Sequence, residues 1–306
     1  MKIGLYIRLF GRPDTDPPAP SWASIREQAI AAEAAGFDLV VLEDALLYPG
    51  DDGADGVWEA VSMAAAVAAA TSTIGVGHAV INSPYRPPAL TAKIAATLDE
   101  IAGGRYTVGL GLGNTPDDYP AFGIDADPRY SRFAEAIQII HALLRGQRVD
   151  FEGTYYRAHG AELVLRGPRP APPIVIAAGK PRGMRLVARY ADEWNWWTTS
   201  RDTTTLRELV AEMDRACEEV ERDPASLRRS LDVFSVAVPG VPDLPADSDD
   251  LQISGSPDAM ADALLAYGEL GFAEVRLNLR VPPSGSRPEA IAWMRQVVNL
   301  VHEATD

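Results

Sequence analysis

The sequence predicts an α/β fold of the closed (β/α)8 TIM-barrel class, with inserted loops. Three observations predict it: short apolar strands alternate with amphipathic helices along the 306 residues, eight such strands can be placed, and glycine or proline signals separate them. Hydrophobic residues make up 47% and charged residues 23%, enough apolar material for a sizeable core. An open doubly wound sheet is the alternative that the same alternation allows.

The first strand, at about 3–9, leads through a proline-rich loop to a helix with Trp22, Ile25 and Ala29 on one face and Gly36 as its stop. Further strands fall at about 37–42, 73–81, 106–111, 174–178, 193–197, 231–238 and 274–279. Leu90, Ile94, Leu98 and Ile101 mark one intervening helix, closed by Gly103-Gly104. Phe133, Ile137, Ile140 and Leu144 mark another, closed by Gly146. Leu206, Val210, Met213, Cys217 and Val220 recur at spacings of three and four, so the single cysteine is expected in the core rather than as a reactive thiol. Ser256-Pro257 is an N-cap followed by proline at the first helical position. Two segments break the alternation: a hairpin inserted at about 147–158, and an acidic, proline-rich stretch at about 239–255 expected to be a mobile loop. Neither has the character of a linker, so one domain over 1–306 is expected.

Against 28 basic residues stand 43 acidic ones, a formal charge of -15 that repels phosphate backbones and anionic lipid. Neither nucleic acid nor a membrane is therefore expected as a partner. The apolar run after Met1 is too short for a signal peptide, and no stretch reaches the roughly 18 apolar residues of a span. With one cysteine and no possible internal disulfide, a cytoplasmic location is expected. Hydrolytic signatures are missing, and His78, His141, His159 and His302 are scattered without ligand spacing, so no metal is expected.

Four segments carry candidate chemistry. Gly109-Leu110-Gly111-Leu112-Gly113-Asn114 ends the fourth strand and runs into a loop, so its glycines either admit something flat to the backbone or serve tight packing. Ala178-Gly179-Lys180-Pro181-Arg182-Gly183-Met184 joins a strand to a helix start, and is either a phosphate seat made by free N–H groups and two cations or an ordinary βα turn that uses glycine. Glu43-Asp44 follows the second strand; Asp44 is either a general acid–base or an acceptor fixing the strand-end loop. Trp194-Asn195-Trp196-Trp197 ends the sixth strand, and Trp194 and Trp196 either line a substrate pocket or cap the core.

Further segments join these in a specific order: Gly36-Phe37-Asp38-Leu39-Val40, Ile74-Gly75-Val76-Gly77, Arg86-Pro87-Pro88-Ala89, Gly103-Gly104-Arg105-Tyr106, Phe151-Glu152-Gly153-Thr154-Tyr155-Tyr156, Pro173-Ile174-Val175-Ile176 and Ala191-Asp192-Glu193-Trp194-Asn195. In this order the chain resembles the luciferase-like monooxygenase superfamily of flavin- and deazaflavin-dependent oxidoreductases. The resemblance implies a ring across the barrel mouth against the third strand, at a bulge with a non-prolyl cis peptide expected at Ala79-Val80, with Gly111 and Gly113 nearby and the phosphate on the 178–184 seat. Where many relatives carry a catalytic histidine this chain has Ala45, so a histidine-mediated proton transfer does not carry over and Asp44 is left as the candidate. Asn114 stands where some deazaflavin dehydrogenases place an acid, and Leu112 where bacterial luciferases place a phosphate-binding arginine.

The resemblance implies hydride transfer between coenzyme F-420, a deazaflavin, and a small organic substrate. The alternatives are an FMN-dependent monooxygenase supplied by a separate flavin reductase, and a flavin-binding protein without turnover. It also implies a homodimer through helices flanking the second and third strands, where 57–70 is alanine-rich. The loops at 11–20, 48–56, 115–128 and 239–254 carry no recognisable substrate code.

Overall fold

The computed structural model describes residues 1–11, 19–50, 53–113, 118–164, 171–245, 248–282 and 285–305, with the side chains of 48–50 and 53–55 left aside. Eight parallel strands form its centre: β1 (Lys2–Tyr6), β2 (Leu39–Leu42), β3 (Gly75–His78), β4 (Tyr106–Gly111), β5 (Ile174–Ala177), β6 (Glu193–Thr198), β7 (Arg228–Ala237) and β8 (Glu274–Arg280). Each pairs with its neighbour in chain order and β8 pairs back onto β1, so the sheet closes and has no edge. Closure decides between the two predicted architectures in favour of the barrel.

Helices α1 (Trp22–Ala35), α2 (Ala60–Ala70), α3 (Pro88–Ile101), α4 (Arg129–Leu144), α5 (Pro181–Tyr190), α6 (Thr204–Glu218), α7 (Pro257–Glu269) and α8 (Arg295–Thr305) follow the strands in turn. Their buried faces meet the outward strand residues, such as Ile3, Val40, Val76, Leu110, Ile176 and Leu231, in one continuous core. Tyr6, Leu39 and Val41 form a separate small cluster with Ala79 and Phe234, on the other face of the strands, inside the barrel. That division follows from the two-residue period of a strand.

Local signals explain the helix ends. Gly36, at φ 86, caps α1 by donating to the carbonyls of Ala32 and Glu33, and Ser256 caps α7 by accepting from the Ala259 N–H. The α4 stripe is buried as expected, and so is Cys217. Two helix faces are corrected. Trp22 is exposed, and α1 buries Ile25, Gln28, Ala29, Ala32 and Ala35 instead. On α3, Leu90 and Ile101 are exposed while Thr91, Ala92, Ala95 and Leu98 face inward. In both helices mostly small side chains, with Ile25 on α1 and Leu98 on α3, face the barrel, and Trp22, Ile30, Leu90 and Ile101 are left outside.

Several motif residues prove to be clamps at the face where the strands begin. Asp38 accepts from the Ile3 N–H at 2.7 Å and Asp192 from the Ile174 N–H at 2.8 Å. Arg105 donates to the carbonyls of Ala68 and Thr71, closing the end of α2.

An antiparallel hairpin, Val149–Glu152 with Arg157–Ala161, follows α4, and Glu135 holds its turn by accepting from the N–H groups of Thr154, Tyr155 and Tyr156. A second hairpin, Leu47–Gly50 with Gly53–Gly56, lies in a stretch where the sequence indicated only loop. The stretch after β7 is not all irregular either, because Ile253 donates to Ser235 and accepts from Ala237 through its backbone. Among the described residues no helix is long and apolar enough to cross a membrane.

Candidate functional site

At the end of the barrel where the strands finish, a cavity of about 960 Å³ opens between the tips of β1 to β7. Its first wall is a bulge. The Ala79–Val80 peptide is cis, and the chain then pairs again with β4 through Ile81 and Asn82, opposite Leu110 and Gly111. A Cβ on Gly109 would collide with the His78 carbonyl, and one on Gly111 with the Val80 side chain. The β4 glycines therefore serve close packing, while Gly111, with Gly113 just beyond the strand, also lines the cavity, so neither of the two roles the sequence left open excludes the other. The β4 glycines admit the bulge, and the bulge presents Ala79 and Val80 to the cavity. Gly113, at φ +87, lets Tyr119 and Asn82 approach in the same way.

The opposite wall is the turn from β5 into α5. Lys180 precedes the helix in extended conformation with no side-chain cap, and Pro181 occupies its first turn. The N–H groups of Arg182 and Gly183 lie in that uncapped first turn, where the positive end of the helix dipole reaches the cavity together with Lys180 and Arg182. Trp194 Nε1 donates to the Ala178 carbonyl at 2.7 Å and Trp196 packs where a Cβ of Gly179 would lie, so the turn is fixed from behind. The Arg182 guanidinium stacks 4.0 Å from the Tyr130 ring centre, and Arg129 donates to the Gly113 carbonyl at 3.0 Å, adding a third cation to this rim. Met184 is corrected: it is buried in the core behind the turn and does not line the cavity.

Trp194 is corrected too. It is fully buried and packs on Phe272, because alternate residues of β6 point outward to the helices. The cavity aromatics are Trp196, Trp197, Phe234, Tyr6 and, at the rim, Tyr130. Trp197 stacks on Trp196 with ring centres 5.9 Å apart and is 49% exposed, offering an open apolar face to a planar guest.

Asp44 reaches the cavity wall with both oxygens engaged. It receives two bonds from Arg86, at 2.6 and 3.2 Å, and the Asn82 N–H at 2.9 Å. Arg86 also bonds Glu59, the N-cap of α2, so one guanidinium ties the end of β2 to a helix start. This geometry matches the anchoring role for Asp44 rather than a base facing the cavity. Ala45 is buried beside it, and Asn114 lies outside the described residues.

The cavity floor holds a pair that the sequence did not single out. Tyr6 Oη donates to Asp232 Oδ2 at 2.7 Å, and Asn195 Nδ2 donates to Asp232 Oδ1 at 3.1 Å. Burial raises the proton affinity of the Asp232 carboxyl, although Arg276 and the two hydrogen bonds oppose it. Burial and the adjacent Asp232 also push the Tyr6 hydroxyl up. Beneath them Arg276 is held by Glu193 at 2.7 Å and Glu274 at 2.6 Å. Strand register brings these residues together, with Asp232 opposite Arg276 and Trp197, and that register is not visible in local sequence patterns.

The arrangement suits an elongated guest with a flat apolar ring over the bulge and an anionic group on the α5 turn. The luciferase-like monooxygenase family model matches residues 1–239. The chain is 38% identical over 167 residues to an F420-dependent glucose-6-phosphate dehydrogenase of Beutenbergia cavernae, covering 53% of this chain and 49% of that one. It is 30% identical to a 4-hydroxyprotoasukamycin monooxygenase of Streptomyces nodosus subsp. asukaensis, covering 77% of this chain and 61% of the relative. These matches thus span about half to three fifths of the relatives' own lengths. An F420-dependent secondary alcohol dehydrogenase, solved with an F420-acetone adduct, superposes with a TM-score of 0.80 at 18% identity over 98% of both chains, a likeness of fold. With its barrel closed, its bulge on β3 and its uncapped turn before α5, the chain belongs to the luciferase-like monooxygenase family.

Proposed function

We propose that this chain is an oxidoreductase that binds a deazaflavin coenzyme in the barrel mouth and exchanges a hydride with a small organic substrate. The observation that carries the proposal is the single cavity joining an apolar, aromatic end to an uncapped helix start flanked by Lys180 and Arg182. A phosphate-bearing planar coenzyme needs both ends at once. When bound, the coenzyme supplies the two-electron hydride carrier.

The chain's own residues bind, orient and shield. Lys180, Arg182 and the first-turn N–H groups of α5 hold the anionic end. Ala79 and Val80 support one face of the ring, and Trp197 and Phe234 leave an apolar space beside it for the substrate. Exclusion of water there strengthens every polar contact made by the reacting atoms. The F420-dependent relative of Beutenbergia cavernae favours the deazaflavin. Leu112, in place of the arginine of bacterial luciferases, speaks against luciferase-type binding of a flavin phosphate.

A second reading, an FMN-dependent monooxygenase served by a separate reductase, draws support from the Streptomyces relative. Single-turnover mixing separates the two. Oxidised deazaflavin with the protein and a panel of small alcohols should lose its absorbance anaerobically, while reduced FMN with oxygen should yield no oxygenated product. Oxygen consumption coupled to product, with an inert deazaflavin, would overturn the proposal in favour of the second reading.

We further propose a homodimer. Trp22 and Ile30 on α1, Trp58 before α2, and Leu90 and Ile101 on α3 leave large apolar groups exposed on neighbouring helices. The expected result of sedimentation equilibrium at micromolar concentration is twice the 32.9 kDa chain mass. A single species at the chain mass contradicts it.

A further inference from the structure

We propose that Tyr6 and Asp232 are the proton-accepting pair of this site, taking the hydroxyl proton of an alcohol substrate as its hydride departs. The proposal rests on the hydride-transfer function proposed above and assigns the proton that hydride transfer leaves behind. Both residues line the cavity, and their 2.7 Å bond joins β1 to β7 across the barrel floor.

Apart from Glu43, the other ionisable groups of the cavity are engaged elsewhere or are cations. Asp44 is held by Arg86. Tyr130 donates its hydroxyl to the Arg182 carbonyl at the rim. Lys180, Arg182 and Arg129 are cations on the phosphate side. His78 lies outside the cavity, bonded to Tyr106 at 2.8 Å. Glu43, next to Tyr6, is the competing base.

The surroundings of Asp232 suit a base. Its direct partners, Tyr6 and Asn195, are neutral donors. Arg276 faces it from β8 but is engaged by Glu193 from β6 and Glu274 from β8, and Arg228 of β7 also lies 3.6 Å from Glu193, so the barrel floor sets three carboxylates against two guanidinium groups. Such crowding favours the uptake of one proton.

The substrate C–H bond breaks and its electron pair leaves as hydride to the oxidised deazaflavin, which is reduced by two electrons. The substrate O–H bond breaks, its proton passes to Tyr6 Oη, and the proton already on Tyr6 passes to Asp232 Oδ2. The alcohol carbon is oxidised to a carbonyl, and Asp232 ends as a neutral acid.

Asp232→Asn keeps the acceptor for Tyr6 while removing the ionisable group. Carbon-13 NMR of carboxyl-labelled aspartate in the coenzyme-free protein should show one resonance titrating above the ordinary aspartate range, absent in Asp232→Asn and shifted in Tyr6→Phe. Anaerobic single turnovers of the wild type should rise with pH through that same midpoint. Asp232→Asn should still bind deazaflavin, but transfer hydride about 10²-fold more slowly and without that pH limb, the loss usual for a general base. Glu43→Gln should keep the limb. An ordinary Asp232 midpoint, or a pH limb that survives Asp232→Asn or disappears in Glu43→Gln, overturns the pair. A wild type that binds deazaflavin but transfers no hydride overturns the reaction itself, and the NMR midpoint still judges Asp232 with no coenzyme present.

Discussion

Asp44 shows how little a residue's position in the chain says about its task. It follows β2 at the cavity wall, where a free carboxylate would make a general base, yet the two bonds from Arg86 and the Asn82 N–H turn it into a tie between three segments. Removing one partner of a buried ion pair leaves the other charge exposed to the cost of burial. Asp44→Asn should therefore lower stability by about 3 kcal/mol in urea denaturation. Hydride transfer by the folded variant should keep its pH dependence. A variant of native stability that loses turnover about 100-fold would return Asp44 to the role of base. Tyr6 and Asp232, by contrast, carry no local pattern at all. Two residues separated by 226 positions meet because β1 and β7 both flank β8, and that proximity follows only once the barrel is closed.

At the scale of elements, much of what made the sequence recognisable is scaffold. Asp38, Arg105 and Asp192 clamp strand starts and a helix end, the 151–156 segment is a hairpin turn held by Glu135 from α4, and none of these clamping residues lines the cavity. Glu33 is a further clamp, from α1 to the segment entering β3. Burial raises its proton affinity, but bonds from the N–H groups of Thr73, Ile74 and Ser72 outweigh this and lower the carboxyl to about 2. A depressed native value stabilises the fold above the unfolded value of about 4.5, and that contribution is lost as pH falls from there towards about 2. Glu33→Gln should cost about 1–2 kcal/mol at neutral pH, after allowance for solvent screening. The gap from the wild type should shrink below pH ~4.5. A gap that stays constant down to pH ~3 would show that the carboxylate charge is not what holds the clamp.

Across the whole molecule, the strand positions and the turn from β5 into α5 were legible because each is written in a short window: an apolar run, a glycine, a proline at a helix start. The bulge at Ala79-Val80 was legible through resemblance, and the structure places a cis peptide there. The helix faces of α1 and α3 were less so, since close packing selected alanine and threonine over larger apolar residues. Of the two pocket candidates, Trp194 and Trp196, only Trp196 lines the cavity, and Trp197 joins it there, an outcome that depends on which strand face looks into the barrel. The account as a whole depends on one cavity binding one coenzyme by its anionic end at the α5 turn. Fluorescence titration of deazaflavin into the wild type, a Lys180→Glu/Arg182→Glu double variant and an Arg185→Glu control on the same helix tests it most directly. The account predicts saturable binding to the wild type and the control, and affinity lowered at least about 10-fold in the double variant, as expected for lost charge-assisted bonds. Equal affinity in all three proteins, or no binding to the wild type, would contradict it.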